Sequence, residues 1–266
     1  MFEEFYTPLP DQDAYLKRIG ESKKPCSLEA LDSLILSHQK SVPFENLDQY
    51  YNKTASSSIE KLFDKIVTRN RGGYCFEQNA LFVSLLQSLG YKAYSSDARV
   101  IRGKDLTAPI LILHRVNLVE FEDGLYFCDV GYGGPMPSFA IKVEDGSSRT
   151  CNGETFYIKK ADGPWWIIGR ITSEGLNEDI IMFRTQKVEN CDFFVLNYYA
   201  SSNPLSVFTN LRLLNRRTDD GNVSITNDSF TITSGGKSES ITITDDAHFL
   251  ALAKEYFGID YSFSKE

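Results

Sequence analysis

The apolar period of this chain changes near residue 90, and that change confines it to folds that keep helices and strands in separate stretches. Up to about residue 90, apolar residues recur at helical spacing. Ser27 is placed to cap a helix carrying Leu28, Leu31, Leu34 and Ile35, which Pro43 stops. Ser57 and Glu60 read as a capping box before Ile59, Leu62, Phe63, Ile66 and Val67. A third helix starts near Cys75, runs through Leu81, Leu85 and Leu86, and ends at Gly90. From about 91 to 190 the pattern is β. Runs at 110–121 and 125–130 flank Asp123-Gly124, a hairpin signal, and 155–159 and 165–168 also read as strands. A barrel or strongly curled sheet fits this stretch. Beyond about 191, segments 222–226, 229–233 and 240–244 alternate apolar residues with Ser or Thr, as in a sheet with one wet face. Asp245 or Asp246 then caps a final helix ended by Gly258. The expected fold class is α+β, with regions 1–90, 91–190 and 191–266.

Composition narrows the function. A chain of 266 residues can bury a large core. A net charge of −8 disfavours nonspecific binding to nucleic acid or an anionic membrane. The sequence shows no apolar run long enough to span a bilayer, and Met1-Phe2-Glu3-Glu4 does not read as a signal peptide. Cys26, Cys75, Cys128, Cys151 and Cys191 show no CxxC spacing, which argues against a disulfide framework or a Cys-rich zinc site. The expected compartment is the reducing cytoplasm, and no metal is expected.

Arg71-Gly72-Gly73-Tyr74-Cys75-Phe76-Glu77-Gln78-Asn79 places a thiol directly after a glycine turn and at a helix start. A free Cys is most often a buried structural residue. A helix N-terminus, however, favours the thiolate, the nucleophilic form. Such a nucleophile needs a base and an orienting group. Among the histidines, His38 reads as a surface or C-cap residue and His248 as ordinary surface. His114 follows the apolar run Ile110-Leu111-Ile112-Leu113 and shares a strand face with Val116 and Leu118, so it is the leading base. Asp129 ends a strand just before a glycine loop. It is the candidate orienting group, with a turn cap as its alternative role. The hairpin raises a conflict. A tight turn at Asp123-Gly124 would set Asp129 opposite Leu118 and leave His114 roughly 13 Å along the strand. A longer connection or a bulge is therefore expected.

These residues resemble the arylamine N-acetyltransferase family, whose nucleophile motif is Arg-Gly-Gly-x-Cys-Phe/Tyr-Glu-x-Asn. The spacings from Cys75 to His114 and on to Asp129 fit it too. So do Pro43-Phe44-Glu45-Asn46, Gly131-Tyr132-Gly133 and, more weakly, the 202–208 segment around Pro204 and Ser206. The resemblance implies a papain-like Cys-His-Asp arrangement, with an N-terminal helical bundle, a central β-barrel and a C-terminal α/β lid. It implies ping-pong acetyl transfer from acetyl-CoA to arylamines, arylhydroxylamines or arylhydrazines through a Cys75 thioester, as in xenobiotic metabolism. Arg71 and Asn79 would support the site. Tyr132 and Leu113 would contact the acceptor, and Gly133, Tyr199, Leu205 and Ser206 would contact CoA. Leu205 and Val207 stand where members carry hydroxyls, which removes hydrogen bonds to CoA. Arg212, Arg216 and Arg217 read as a solvated charged stretch, with CoA phosphates as the alternative. Competing readings are an amide synthase acting on a polyketide-like acyl chain, a thiol hydrolase or transglutaminase-like enzyme, and a non-catalytic binding protein.

Overall fold

Local capping sets where the helices begin. Ser27 Oγ accepts the Ala30 N–H at 3.1 Å, and Asp245 Oδ1 accepts the His248 N–H at 2.8 Å. Gly90 and Gly258 end their helices in the left-handed region, with φ of 100° and 69°. The computed structural model describes residues 2–262 apart from Asn152. Its first stretch holds α1 (Gln12–Arg18), α2 (Leu28–Ser41), β1 (Phe44–Glu45), α3 (Leu47–Tyr50), α4 (Ile59–Phe63) and α5 (Cys75–Leu89). A π-helical turn, Asp64–Thr68, follows α4. The α4 cap is Ser58, one residue later than the capping-box reading, because Ser57 Oγ instead accepts the Asn197 amide at 3.0 Å.

The middle stretch holds β2 (Lys92–Val100), β3 (His114–Phe121), β4 (Gly124–Cys128), β5 (Ile141–Lys142), β6 (Ser148–Cys151), β7 (Glu154–Lys160), β8 (Trp166–Ile171) and β9 (Asn177–Phe183). These form one eight-stranded antiparallel sheet in the order β5-β4-β3-β2-β9-β8-β7-β6, nearly closed like a barrel. Its inner face buries Val116, Leu118, Phe127, Phe139, Phe156, Ile168 and Phe183. Residues 110–113, expected to open the strand, form a loop. Cross-strand pairing begins only where Ala98 faces His114, so the loop has no neighbour to pair with.

The last stretch holds α6 (Asn190–Ser202), α7 (Val207–Asn210), β10 (Leu213–Arg217), β11 (Gly221–Thr226), β12 (Ser229–Ser234), β13 (Lys237–Thr242) and α8 (Asp246–Phe257). Helix α6 is absent from the sequence reading. Its Phe193, Phe194, Val195, Leu196, Tyr198 and Tyr199 surround the axis, so no apolar stripe marks it. Strand β1 comes from the otherwise helical stretch but pairs with β10, joining the sheet β1-β10-β11-β12-β13. That sheet packs Val223, Ile225 and Phe230 against Phe249, Leu252 and Phe257 of α8, while β13 is exposed throughout.

The hairpin resolves the expected conflict. Phe121 pairs with Gly124 and Asn117 with Cys128, so a two-residue turn does form, at Glu122-Asp123. The ladder thereby shifts from the expected register, with neither a longer connection nor a bulge. Continued one step past Cys128, it sets Asp129 across from Val116, and His114 lies one diagonal away on the same face. Diagonal partners are about 7–8 Å apart, within reach of two side chains. Direct opposition was too strict a requirement.

Candidate active site

The turn before α5 is built by close backbone approach. A Cβ on Gly72 would lie 1.9 Å from the Pro43 carbonyl oxygen. The Gly73 N–H donates to that same oxygen at 3.3 Å, and the Glu45 N–H donates to the Gly73 carbonyl at 3.0 Å. Pro43-Phe44-Glu45 is thus zipped to Gly72-Gly73, which explains why both motifs occur together. Gln78 adds amide donation to the Gly73 and Pro43 carbonyls at 2.6 and 3.2 Å. The Glu77 carboxylate accepts the Tyr74 N–H at 3.1 Å.

This turn delivers Cys75 as the first residue of α5, where the helix dipole favours an anion. Its Sγ lies 3.9 Å from the Leu113 carbonyl, and the residue is 2% exposed. His114 opens β3 and donates from Nε2 to Asp129 Oδ2 at 2.5 Å, leaving Nδ1 for the sulfur. Burial would push the imidazole down. The Asp129 carboxylate and Cys75, acting through charge and hydrogen bonds, outweigh it and lift His114 to about 10. The other Asp129 oxygen accepts from Asn79 Nδ2 at 2.8 Å and from the Gly131 N–H at 2.7 Å. Asn79 also donates to the Arg115 carbonyl at 2.6 Å and accepts from the Val130 N–H at 3.1 Å. It ties α5, β3 and the loop after β4 together. A Cβ on Gly131 would lie 2.9 Å from Cys75 Cα, so only glycine admits that approach.

Arg71 does not touch these residues. Its guanidinium holds Glu45 Oε1 at 2.7 Å and Asp48 Oδ1 at 3.2 Å. Lys65, inside the π-turn, meets Glu77 and Asp48, each at 2.8 Å. Burial would raise the Asp48 carboxyl, but Lys65 and Arg71 hold it down to about 2. Lys65 sits among Ile66 and Val67 at an apolar-looking position, and that misplaced cation is the signal that could have found this buried network.

The ring of Tyr132 meets His114 edge-on, with centroids 5.8 Å apart, and Leu113 packs beside Phe76 and Phe193. Gly133 sits where a Cβ would strike the Phe44 ring at 2.7 Å. Tyr199 is half-buried on α6 and Leu205 is 87% exposed. The Ser206 hydroxyl is occupied internally, donating to the Ala200 carbonyl at 2.5 Å and capping α7 through the Phe208 N–H at 3.2 Å.

Two expectations are corrected. His38 is a buried residue, because its Nε2 donates to Gln78 Oε1 at 2.9 Å and its Nδ1 takes the Tyr15 hydroxyl at 3.1 Å. Burial holds it down to about 3, against a smaller opposing effect of Gln78, so it is neutral. The arginine stretch is not a solvated run. Arg212 is buried with its guanidinium 3.9 Å from the Phe249 ring centre, and Arg217 reaches Glu154 Oε2 and the Met136 carbonyl, each at 2.6 Å. His248 is half-buried, its Nδ1 3.3 Å from Thr244 Oγ1. Cys26, Cys75, Cys128 and Cys191 are free thiols. Among the described residues no group of His, Cys, Asp and Glu could hold a metal ion, and no helix is long and apolar enough to cross a membrane.

A family profile described as N-acetyltransferase matches residues 27–265. The arylamine N-acetyltransferase of Mycolicibacterium smegmatis is 30% identical over 255 residues, covering 94% of this chain and 92% of that protein. The Escherichia coli K12 protein of the same name is 30% identical over 254 residues, covering 94% and 89%. The structure of the Mycobacterium marinum arylamine N-acetyltransferase in complex with CoA superposes with a TM-score of 0.88 at 29% identity, covering 94% of this chain and 93% of that one.

Proposed function

The chain belongs to the arylamine N-acetyltransferase family and is an acyltransferase, and we propose that it moves an acetyl group from acetyl-CoA to aromatic amines, arylhydroxylamines and arylhydrazines through Cys75. The observation that carries this reading is the His114 ring set between the Asp129 carboxylate and the Cys75 sulfur at the start of α5. In the first half-reaction the Cys75 thiolate adds to the thioester carbonyl. The tetrahedral adduct then expels the CoA sulfur, which takes its proton from His114. In the second, the amine nitrogen adds to the acetyl-cysteine carbonyl and gives its proton to His114, and the Cys75 thiolate leaves. Asp129 keeps the imidazole oriented and charge-balanced throughout, and Asn79 positions Asp129.

Tyr132 offers a ring to a flat acceptor beside His114, with Leu113 on the adjoining loop. In this reading Leu205 and Tyr199 meet CoA, and Gly133 gives it close backbone approach. Ser206 serves that segment by capping α7, since its hydroxyl donor is already engaged. The CoA complex of the M. marinum relative supports a CoA thioester as donor. A reducing cytoplasm suits a thiol that must stay free.

Incubation with acetyl-CoA without an amine, followed by peptide mass spectrometry, tests this. The Cys75 peptide should gain one acetyl group and lose it when an arylamine is added, as the anilide forms. No adduct on Cys75 with acetyl-CoA or another short acyl-CoA would overturn the assignment.

A further inference from the structure

Alternate residues of β3 turn away from the barrel interior towards α5, and Val119 on that face joins the helical-side core. Asn117, two residues earlier on the same face, is fully buried. A carboxamide there is costly unless both its ends are paired. Its Nδ2 donates to the Asn79 carbonyl at 3.0 Å and to Asn79 Oδ1 at 3.2 Å. Its Oδ1 accepts from Ser95 Oγ at 2.7 Å, directly across the β2–β3 ladder. Ser95 Oγ in turn accepts from Arg115 Nε at 2.9 Å, and Arg115 Nη2 donates to Asn190 Oδ1 at 2.7 Å. Asp97, which faces Arg115 across the same ladder, is held by Arg184 through Nε and Nη2.

These contacts run in one direction. A guanidinium only donates and a carboxylate only accepts, whereas a hydroxyl and a carboxamide do both. Arg115 occupies the Ser95 oxygen, so the Ser95 proton goes to Asn117 Oδ1. That turns Asn117 Nδ2 towards Asn79. Asn79 Oδ1 takes this donor together with the Val130 N–H at 3.1 Å, which leaves Asn79 Nδ2 aimed at Asp129 Oδ1 at 2.8 Å. The other oxygen of Asp129 holds His114. A reversed Asn79 would set its oxygen against the carboxylate, two acceptors with no proton between them. Hydrogen bonds aligned head to tail in this way also strengthen one another.

We propose that Asn117, itself set by Ser95 and Arg115, is a positioning residue that fixes the Asn79 carboxamide and, through it, the Asp129 carboxylate in the pose that orients His114. This inference rests on the reading of Cys75, His114 and Asp129 as the reacting group. Asn117 is buried behind α5 and acts through Asn79, so it governs turnover and leaves substrate affinity alone.

The test compares wild type, Asn117→Leu, Ser95→Ala and the double variant. It reads kcat, KM for acetyl-CoA and for an arylamine, and the proton NMR resonance of His114 Nε2–H, assigned through isotope-labelled histidine. In Asn117→Leu, kcat should fall about tenfold with both KM values within about twofold of wild type, and the His114 resonance should move. Ser95→Ala, one link further away, should lower kcat about threefold and move the resonance in the same direction. Both act through Asn79, so the double variant should stay within about twofold of Asn117→Leu alone. A side chain that only filled the core would lower the unfolding temperature and leave kcat and the resonance of the folded enzyme unchanged. That result in Asn117→Leu overturns the proposal, as do losses that multiply in the double variant. Where Asn117→Leu does not fold, wild-type kcat and resonance in Ser95→Ala overturn it instead. If wild type gains no acetyl group on Cys75 from acetyl-CoA while the resonance moves in the variants, the nucleophile reading fails and the positioning of Asp129 stands.

Discussion

His38 should make the fold acid-sensitive by a calculable amount. In the native chain the ring is enclosed by Tyr15, Gln78 and Phe82, and it binds a proton only near pH 3. In the unfolded chain a histidine takes up that proton near pH 6.5. Between those values the unfolded state holds one more proton than the native state. Stability therefore falls as pH falls, by roughly 1.4 kcal/mol per unit. From pH 7.5 to 4.5 the His38 contribution comes to about 2.7 kcal/mol, a large fraction of a typical domain stability of about 5–15 kcal/mol. Titrating carboxylates act over the same range, so the measurement is a difference. Urea unfolding of wild type and His38→Gln would be followed at pH 7.5, 6.5, 5.5 and 4.5. The variant should be the less stable at pH 7.5, by about 1–3 kcal/mol for the disturbed buried hydrogen bonds. The gap should then shrink by about 2.7 kcal/mol at pH 4.5, because glutamine does not titrate. Parallel curves across this range would refute the reasoning, since they would mean that native His38 takes up its proton as readily as the unfolded chain does. His114 has the opposite sign. Its ionisation is raised, so its contribution to stability is complete below about pH 6.5 and is lost as pH climbs through about 10.

Gly131→Ala should cost about 1–3 kcal/mol of stability and slow acetyl transfer at least tenfold. Its Cβ would press on Cys75 Cα and on Asn79 Nδ2, which is itself held by Asp129 and Arg115; thermal unfolding and turnover at full wild-type values would contradict this. Cys128→Ala should keep turnover within about twofold of wild type while losing about 1 kcal/mol of stability. Cys128 lies in the helical-side core, and burial together with Asp129 keeps its thiol protonated. Cys75→Ala should lose turnover entirely, and equal losses in the two variants would remove the assignment of the nucleophile.

The glycine turn before Cys75 was legible in the residues because its constraints are local. Gly72 and Gly73 admit a backbone contact that no side chain permits, Glu77 closes the first turn, and Asn79 follows one helical turn after Cys75. The caps at Ser27 and Asp245 and the αL glycines at 90 and 258 were legible for the same reason, since each is decided within a few residues. Helix α6 was not, because a segment apolar on all sides shows no period.

The residues alone marked Cys75, His114 and Asp129 as candidates for chemistry and told on what kind of element each would sit. Only the tertiary structure decided the rest. It placed Asp129 diagonally across from His114 through the hairpin register, drew β1 out of the helical stretch into the C-terminal sheet, and buried His38, Lys65 and Arg115 where each must find partners. Register, burial and charge compensation depend on residues far apart in the chain, and a local pattern does not encode what packs against it.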